Sequence, residues 1–91
     1  MPHIFKIGSY IIYFWVNEGN PTEPIHVHVS QVQSPHSTNI WITSNHKCLL
    51  SNNNSKIPAP QLGIIMRSIE ANVDDIIATW KKYFGEVRFY C

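Results

Sequence analysis

The first half of the chain carries short blocks of β-branched and aromatic residues, at positions 3–7, 9–16, 25–32 and 38–43, broken by Gly, Pro, Asn and Ser. Blocks of this length between turn formers predict strands. Gly8 marks a tight turn between the first two blocks, and Asn17-Glu18-Gly19-Asn20-Pro21 offers residues tolerant of positive φ followed by a φ-locked proline. Ser34-Pro35-His36-Ser37 and Ser44-Asn45-His46 read as further turns, the second ahead of the short apolar piece Cys48-Leu49-Leu50. The expected product is an antiparallel meander of about four to five strands within residues 1–50.

The pattern changes at Ser51-Asn52-Asn53-Asn54-Ser55, a polar tract without periodicity that predicts loop over 51–57. Beyond it, Leu62, Ile65, Met66, Ile69, Val73, Ile76, Ile77, Trp80 and Phe84 recur at steps of three and four, with Arg67, Glu70, Asp74, Asp75, Lys81 and Lys82 on the other face. This spacing predicts one long amphipathic helix over 58–84, with Lys81 and Lys82 suited to its last turn and Gly85 to a left-handed cap. Gly63 and the like-charged Glu70/Asp74 pair weaken it locally, which leaves room for a break in the middle. Residues 86–91 alternate apolar and polar positions and offer a short final edge strand. The fold class expected is α+β, the meander packed on one face by the helix.

Composition narrows this reading. The chain's 91 residues close a single core, so one domain over 1–91 is expected. Hydrophobic residues at 44% against charged residues at 14% exclude wholesale disorder and a charged coiled coil. A formal charge of +1 supplies no bulk field for nucleic acid or membranes, so any anion site must be local. Cys48 and Cys91 are too few for a disulfide framework and have no zinc-knuckle spacing, which suits reduced thiols in the cytoplasm. The apolar run at 10–16 lacks a cleavage site and reads as a strand, and nothing approaches the ~18 apolar residues of a membrane span. A cytoplasmic protein without a membrane partner is expected. No Walker loop, Rossmann fingerprint or nucleophile elbow occurs, so no cofactor is expected.

Against so little charge, five histidines stand out. In Pro24-Ile25-His26-Val27-His28-Val29, strand alternation sets His26 and His28 on one face and the aliphatic residues on the other, with the two histidine Cα atoms ~6.6 Å apart. Such a pair suits two chemistries. One is an acid–base pair around a phosphodiester, since an imidazole with a pKa near ~6.5 offers both protonation states at neutral pH. That site needs a cation beside it, for which Lys6, Lys47 and Arg88 are candidates. The other is a metal site, which needs a third ligand from His46, His36, Cys48 or Glu23, with no carboxylate-rich cluster at hand; no metal is therefore assigned. The plain structural alternative is a pair of solvent-facing histidines on a half-buried strand.

The residues Ile4-Phe5-Lys6-Ile7-Gly8, Tyr13-Phe14, Glu23-Pro24-Ile25-His26-Val27-His28-Val29, Ile40-Trp41-Ile42-Thr43, Ile57-Pro58 and Trp80-Lys81-Lys82-Tyr83-Phe84-Gly85 resemble the small bacterial family catalogued as domain of unknown function 4160. The resemblance covers nearly the whole chain. It implies a compact α+β protein, commonly encoded beside a second small protein and read as the toxin of a type II toxin–antitoxin pair. It carries His26 and His28 over as the family's histidine motif and implies a further histidine, for which His46 is the first candidate and His36 the second. Asn52 stands where related sequences often have a histidine.

The expectation is thus a toxin neutralised by a cognate small antitoxin, alone or in a homo- or hetero-oligomer, and directed at RNA or translation through catalytic groups His26, His28 and His46. The alternatives are a non-catalytic protein-binding module, using the sheet face and the 87–90 edge, and a small metal-binding domain.

Overall fold

The computed structural model describes residues 3–14, 23–32 and 37–91. Five strands, β1 (His3–Ile7), β2 (Tyr10–Tyr13), β3 (His26–Ser30), β4 (Thr38–Ile42) and β5 (Cys48–Asn53), form one antiparallel sheet in chain order. Two helices follow, α1 (Ala59–Ala71) and α2 (Val73–Phe84). The α+β class and the meander are as expected. Gly8 takes a φ of +58° in a turn that pairs Ile7 with Tyr10, a conformation in which a Cβ is strained. Trp15, Val16, the 17–21 turn and His36 lie outside the described residues.

One face of the sheet is aliphatic. Ile12, Val27, Val29, Ile40 and Ile42 meet the helical stripe Ile65, Ile69, Val73, Ile76 and Trp80, and all ten side chains are buried. Each such residue contributes roughly 1.5–3 kcal/mol by leaving water, so the periodicity of the helices is spent on this layer. Among the described residues no helix is long and apolar enough to cross a membrane.

The structure corrects the expected boundaries at three places. The single helix over 58–84 is two helices, because Asn72 leaves helical geometry at φ −115°, ψ 16°. Its side-chain amide donates to the Ser68 carbonyl at 2.8 Å, the competition with backbone bonding that makes Asn a poor interior residue. The break falls between Glu70 and Asp74, and the apolar stripe continues across it. The polar tract expected as loop supplies the end of β5, since Asn52 and Asn53 pair with Asn39 and Thr38. Asn53 is satisfied there by its own side chain, which accepts from Thr38 Oγ1 at 2.6 Å and bonds both the Ile57 N–H and the Ile57 carbonyl at 3.0 Å.

The third correction concerns 86–91, which forms no strand. Two isolated backbone bonds hold it instead where β3 and β4 part: Ile25 N–H donates to the Arg88 carbonyl and Ser44 N–H to the Cys91 carbonyl, both at 2.8 Å. Gly85, at φ +81°, closes α2 as the expected left-handed cap and turns the chain towards these contacts.

Ile69 is fully buried between the layers. Ile69→Ala should therefore cost about 2–5 kcal/mol in urea unfolding, with the slope of the transition unchanged.

Candidate functional site

The second face of the sheet is polar and aromatic, and β3 shows why. Its five residues are all buried, so the central strand is covered on both sides. Alternation sends Val27 and Val29 to the aliphatic core and His26 and His28 to the opposite face. Register adds their neighbours, Trp41 opposite His26 and Tyr13 and Asn39 opposite His28 on the two flanking strands. The sequence reading of a same-face pair therefore meets an unexpected fact: His26 is only 8% exposed and His28 7%. The plain alternative of two solvent-facing histidines does not describe this chain.

The two rings lie 5.1 Å apart in an edge-to-face arrangement. Trp41 and Trp80 stand at 5.6 and 5.7 Å from the His26 ring, so β4 and α2 both fix its position. Tyr13 stacks on His28 at 5.4 Å, with an interplanar angle of 20°. The tyrosine is tied in turn: Ser30 donates to the Val32 carbonyl and accepts from the Tyr13 hydroxyl at 3.2 Å.

Hydrogen bonding sets the tautomer of each histidine. His26 Nδ1 lies 3.1 Å from the Pro24 carbonyl, which can only accept, so Nδ1 carries the proton. His28 Nδ1 lies 2.8 Å from Ser37 Oγ, which gives its own proton to Asn39 Oδ1 at 3.1 Å. Ser37 therefore accepts from His28, and a relay of ring, hydroxyl and amide orients the imidazole. In both neutral rings the basic lone pair resides on Nε2.

Glu23, His26, His28, Asn39, Trp41 and Ser51 line a cavity of about 210 Å³ on this face. Ser51 is the extra residue of a β-bulge, since Ile40 pairs with Leu50 and the adjacent Asn39 with Asn52. A bulge aims a side chain out of the regular alternation, and here it adds a hydroxyl to a cavity otherwise built by register. The Oε2 atom of Glu23 is buried with no hydrogen-bond partner among the described residues. A second hollow, about 370 Å³ between the β1–β2 turn and α1, is apolar, with Ile7, Tyr10, Gln61, Ile64 and Ile65 among its walls.

The other candidates lie elsewhere. His46 sits in the β4–β5 turn with φ +63°, its side chain 54% exposed and paired at 2.9 Å with Asp74 of α2. It does not line the cavity. Cys48 pairs with Ile42 on the aliphatic face and bonds the Met66 carbonyl and Glu70, each at 3.5 Å. Among the described residues no group of three or more His, Cys, Asp or Glu is placed to hold a metal ion. Register sets Lys6 on the histidine face but on edge strand β1, two strands from His28, while Lys47 is in the turn beside His46 and Arg88 pairs with Glu86 at 3.3 Å. The cavity wall includes no Lys or Arg among the described residues.

In the sequence Glu23 stands out only as a metal-ligand candidate, and Ser37, Asn39 and Ser51 carry no signal of their own. Trp41 carried a readable signal: it interrupts Ile40 and Ile42 at the alternate position, which sends it to the histidine face.

The family model described as Domain of unknown function (DUF4160) matches residues 9–81. No curated protein and no solved structure matches the chain.

Two predictions follow from this geometry. Long-range ¹H–¹⁵N NMR of the neutral rings should report protonated Nδ1 and unprotonated Nε2 for both His26 and His28, and Ser37→Ala should disturb His28 alone. For Cys48, burial first and Glu70 second push the thiol pKa from 9.0 up to about 12. The folded form thus favours the protonated thiol, a contribution to stability present below pH 9.0 and lost as pH rises towards about 12. At pH near ~8 an alkylating reagent should modify exposed Cys91 readily and Cys48 only at the rate of unfolding.

Proposed function

We propose that this chain, which belongs to the DUF4160 family, is the toxin of a bacterial type II toxin–antitoxin pair that acts in the cytoplasm on RNA, with His26 and His28 as its acid–base or phosphate-contacting groups. The observation that carries the reading is the pair of buried imidazoles, each oriented through Nδ1 and both lining one polar cavity. Two histidines kept only for packing would be an expensive choice at the centre of a sheet, because buried polar groups demand partners that an aliphatic pair would not. An acid–base pair requires one ring protonated and one neutral. With no Lys or Arg on the cavity wall among the described residues, the protonated imidazole also supplies the cation that a phosphodiester needs.

The rim of the cavity suits a protein partner. Leu49, registered opposite Trp41, is 45% exposed, and Tyr90, stacked on Trp41 at 4.8 Å, is 59% exposed. An antitoxin that covers these side chains closes the cavity and neutralises the toxin in one step. The same rim is the feature that favours the second reading, a binding module without catalysis.

Conditional expression with and without the adjacent small gene tests the proposal. The wild-type chain should arrest growth alone and not with its neighbour. A His26→Asn/His28→Asn double variant keeps an N–H donor near each Nδ1 position and loses the titratable Nε2, so it should fold, still bind the partner and no longer arrest growth. Growth arrest by the folded double variant would refute the catalytic reading and leave the binding module.

A further inference from the structure

Glu23 Oε2 is the polar atom of the cavity that the histidine pair leaves unexplained. It is buried, it has no hydrogen-bond partner among the described residues, and its residue lines the same wall as His26, His28, Asn39 and Ser51. A buried acceptor without a donor costs stability, so its retention points to a donor that arrives with the ligand. That donor cannot be the phosphate, because a carboxylate against a phosphodiester anion is repulsive. The hydrogen donor that RNA carries next to every scissile phosphate is the ribose 2′-hydroxyl, which DNA lacks.

We infer that Glu23 is a third catalytic residue of this cavity, accepting the ribose 2′-hydroxyl and thereby selecting RNA over DNA; this rests on the RNA-directed reading above. In the step it implies, Glu23 takes the 2′-hydroxyl proton as O2′ forms a bond to phosphorus. The P–O5′ bond breaks, and the protonated imidazole of the histidine pair gives its proton to the departing O5′. The Ser51 hydroxyl and the Asn39 side-chain amide, whose Oδ1 already accepts from Ser37, are the donors left for the non-bridging oxygens. The products are a 2′,3′-cyclic phosphate and a free 5′-hydroxyl, with no oxidant, reductant or metal required for the balance. A single fixed acceptor at the nucleophile and a single donor at the leaving group are the positions at which general acid–base catalysis acts.

The test incubates the purified full chain with a random-sequence RNA, its fully 2′-O-methylated counterpart and a DNA of the same sequences, and reads product ends by mass spectrometry. Cleavage of RNA alone, with cyclic phosphate ends, is expected. E23Q, which keeps the side-chain shape but cannot take a proton, should lose at least ~100-fold in kcat while binding 2′-O-methyl RNA as the wild type does, and E23D should retain part of the activity. Wild-type cleavage of DNA or 2′-O-methyl RNA, or full activity in E23Q, would overturn the assignment of Glu23 and leave the histidine reading standing. No cleavage of any substrate by the wild type would overturn both. Where a Glu23 variant fails to fold, wild-type cleavage of DNA or of 2′-O-methyl RNA still overturns the proposal.

Discussion

A central strand covered on both faces must satisfy every polar group it carries, and β3 carries three, His26, His28 and Ser30. The arrangement of the second face follows from that requirement. Pro24 and Ser37 each meet an Nδ1, Asn39 takes up the serine proton, and Tyr13 stacks on one ring while its hydroxyl engages Ser30. The flanking strands therefore do more than complete the sheet. By antiparallel register they deliver Trp41, Asn39 and Tyr13 opposite the two histidines, so the same hydrogen-bond ladder that builds the fold also builds the cavity wall. The helices act at one remove. The break at Asn72 separates a helix that docks on β5 through Glu70 and Cys48 from one that brings Trp80 to both Phe14 and His26.

Much of this was legible in the sequence because it depends on period alone. The separation of Ile25, Val27 and Val29 from His26 and His28 is a two-residue alternation, and the stripe from Ile65 to Trp80 is a helical one. Gly8 and Gly85 could be placed because positive φ favours glycine at a hairpin and at a helix cap. What failed to show was whatever depends on partners distant in the chain. Asn53 looks like a loop residue until Thr38 and Ile57 satisfy it. Asn72 has the polarity of any exposed helical position, and only its bond to Ser68 distinguishes it. Tertiary context overrode local propensity at Asn53, whereas at Asn72 a side-chain bond within one helical turn did so.

The candidate site divides in the same way. That His26 and His28 share a face could be read from the chain, but their burial could not, since it depends on the groups that cover the second face of the sheet. His46 was the first choice for a third histidine. The fold instead gives it to a turn, where it pairs with Asp74 in an exposed contact of the kind worth at most about 1 kcal/mol. Cys48 was separated from the histidines by alternation, on the aliphatic face, and its raised thiol pKa marks it as a packing residue. Glu23 enters by proximity in space as well as in sequence, just ahead of the strand it serves.

The polar cavity on the histidine face is the proposed ligand site, and the apolar hollow by the β1–β2 turn is not. Titration of a 2′-O-methylated dinucleotide into ¹⁵N-labelled protein, followed through the imidazole and backbone resonances, tests it directly. Saturable shifts centred on His26, His28, Asn39 and Ser51 are expected, with Tyr10 and Ile64 unmoved. Shifts confined to Tyr10, Gln61 and Ile64, or none at the two histidines at saturating ligand, would contradict it.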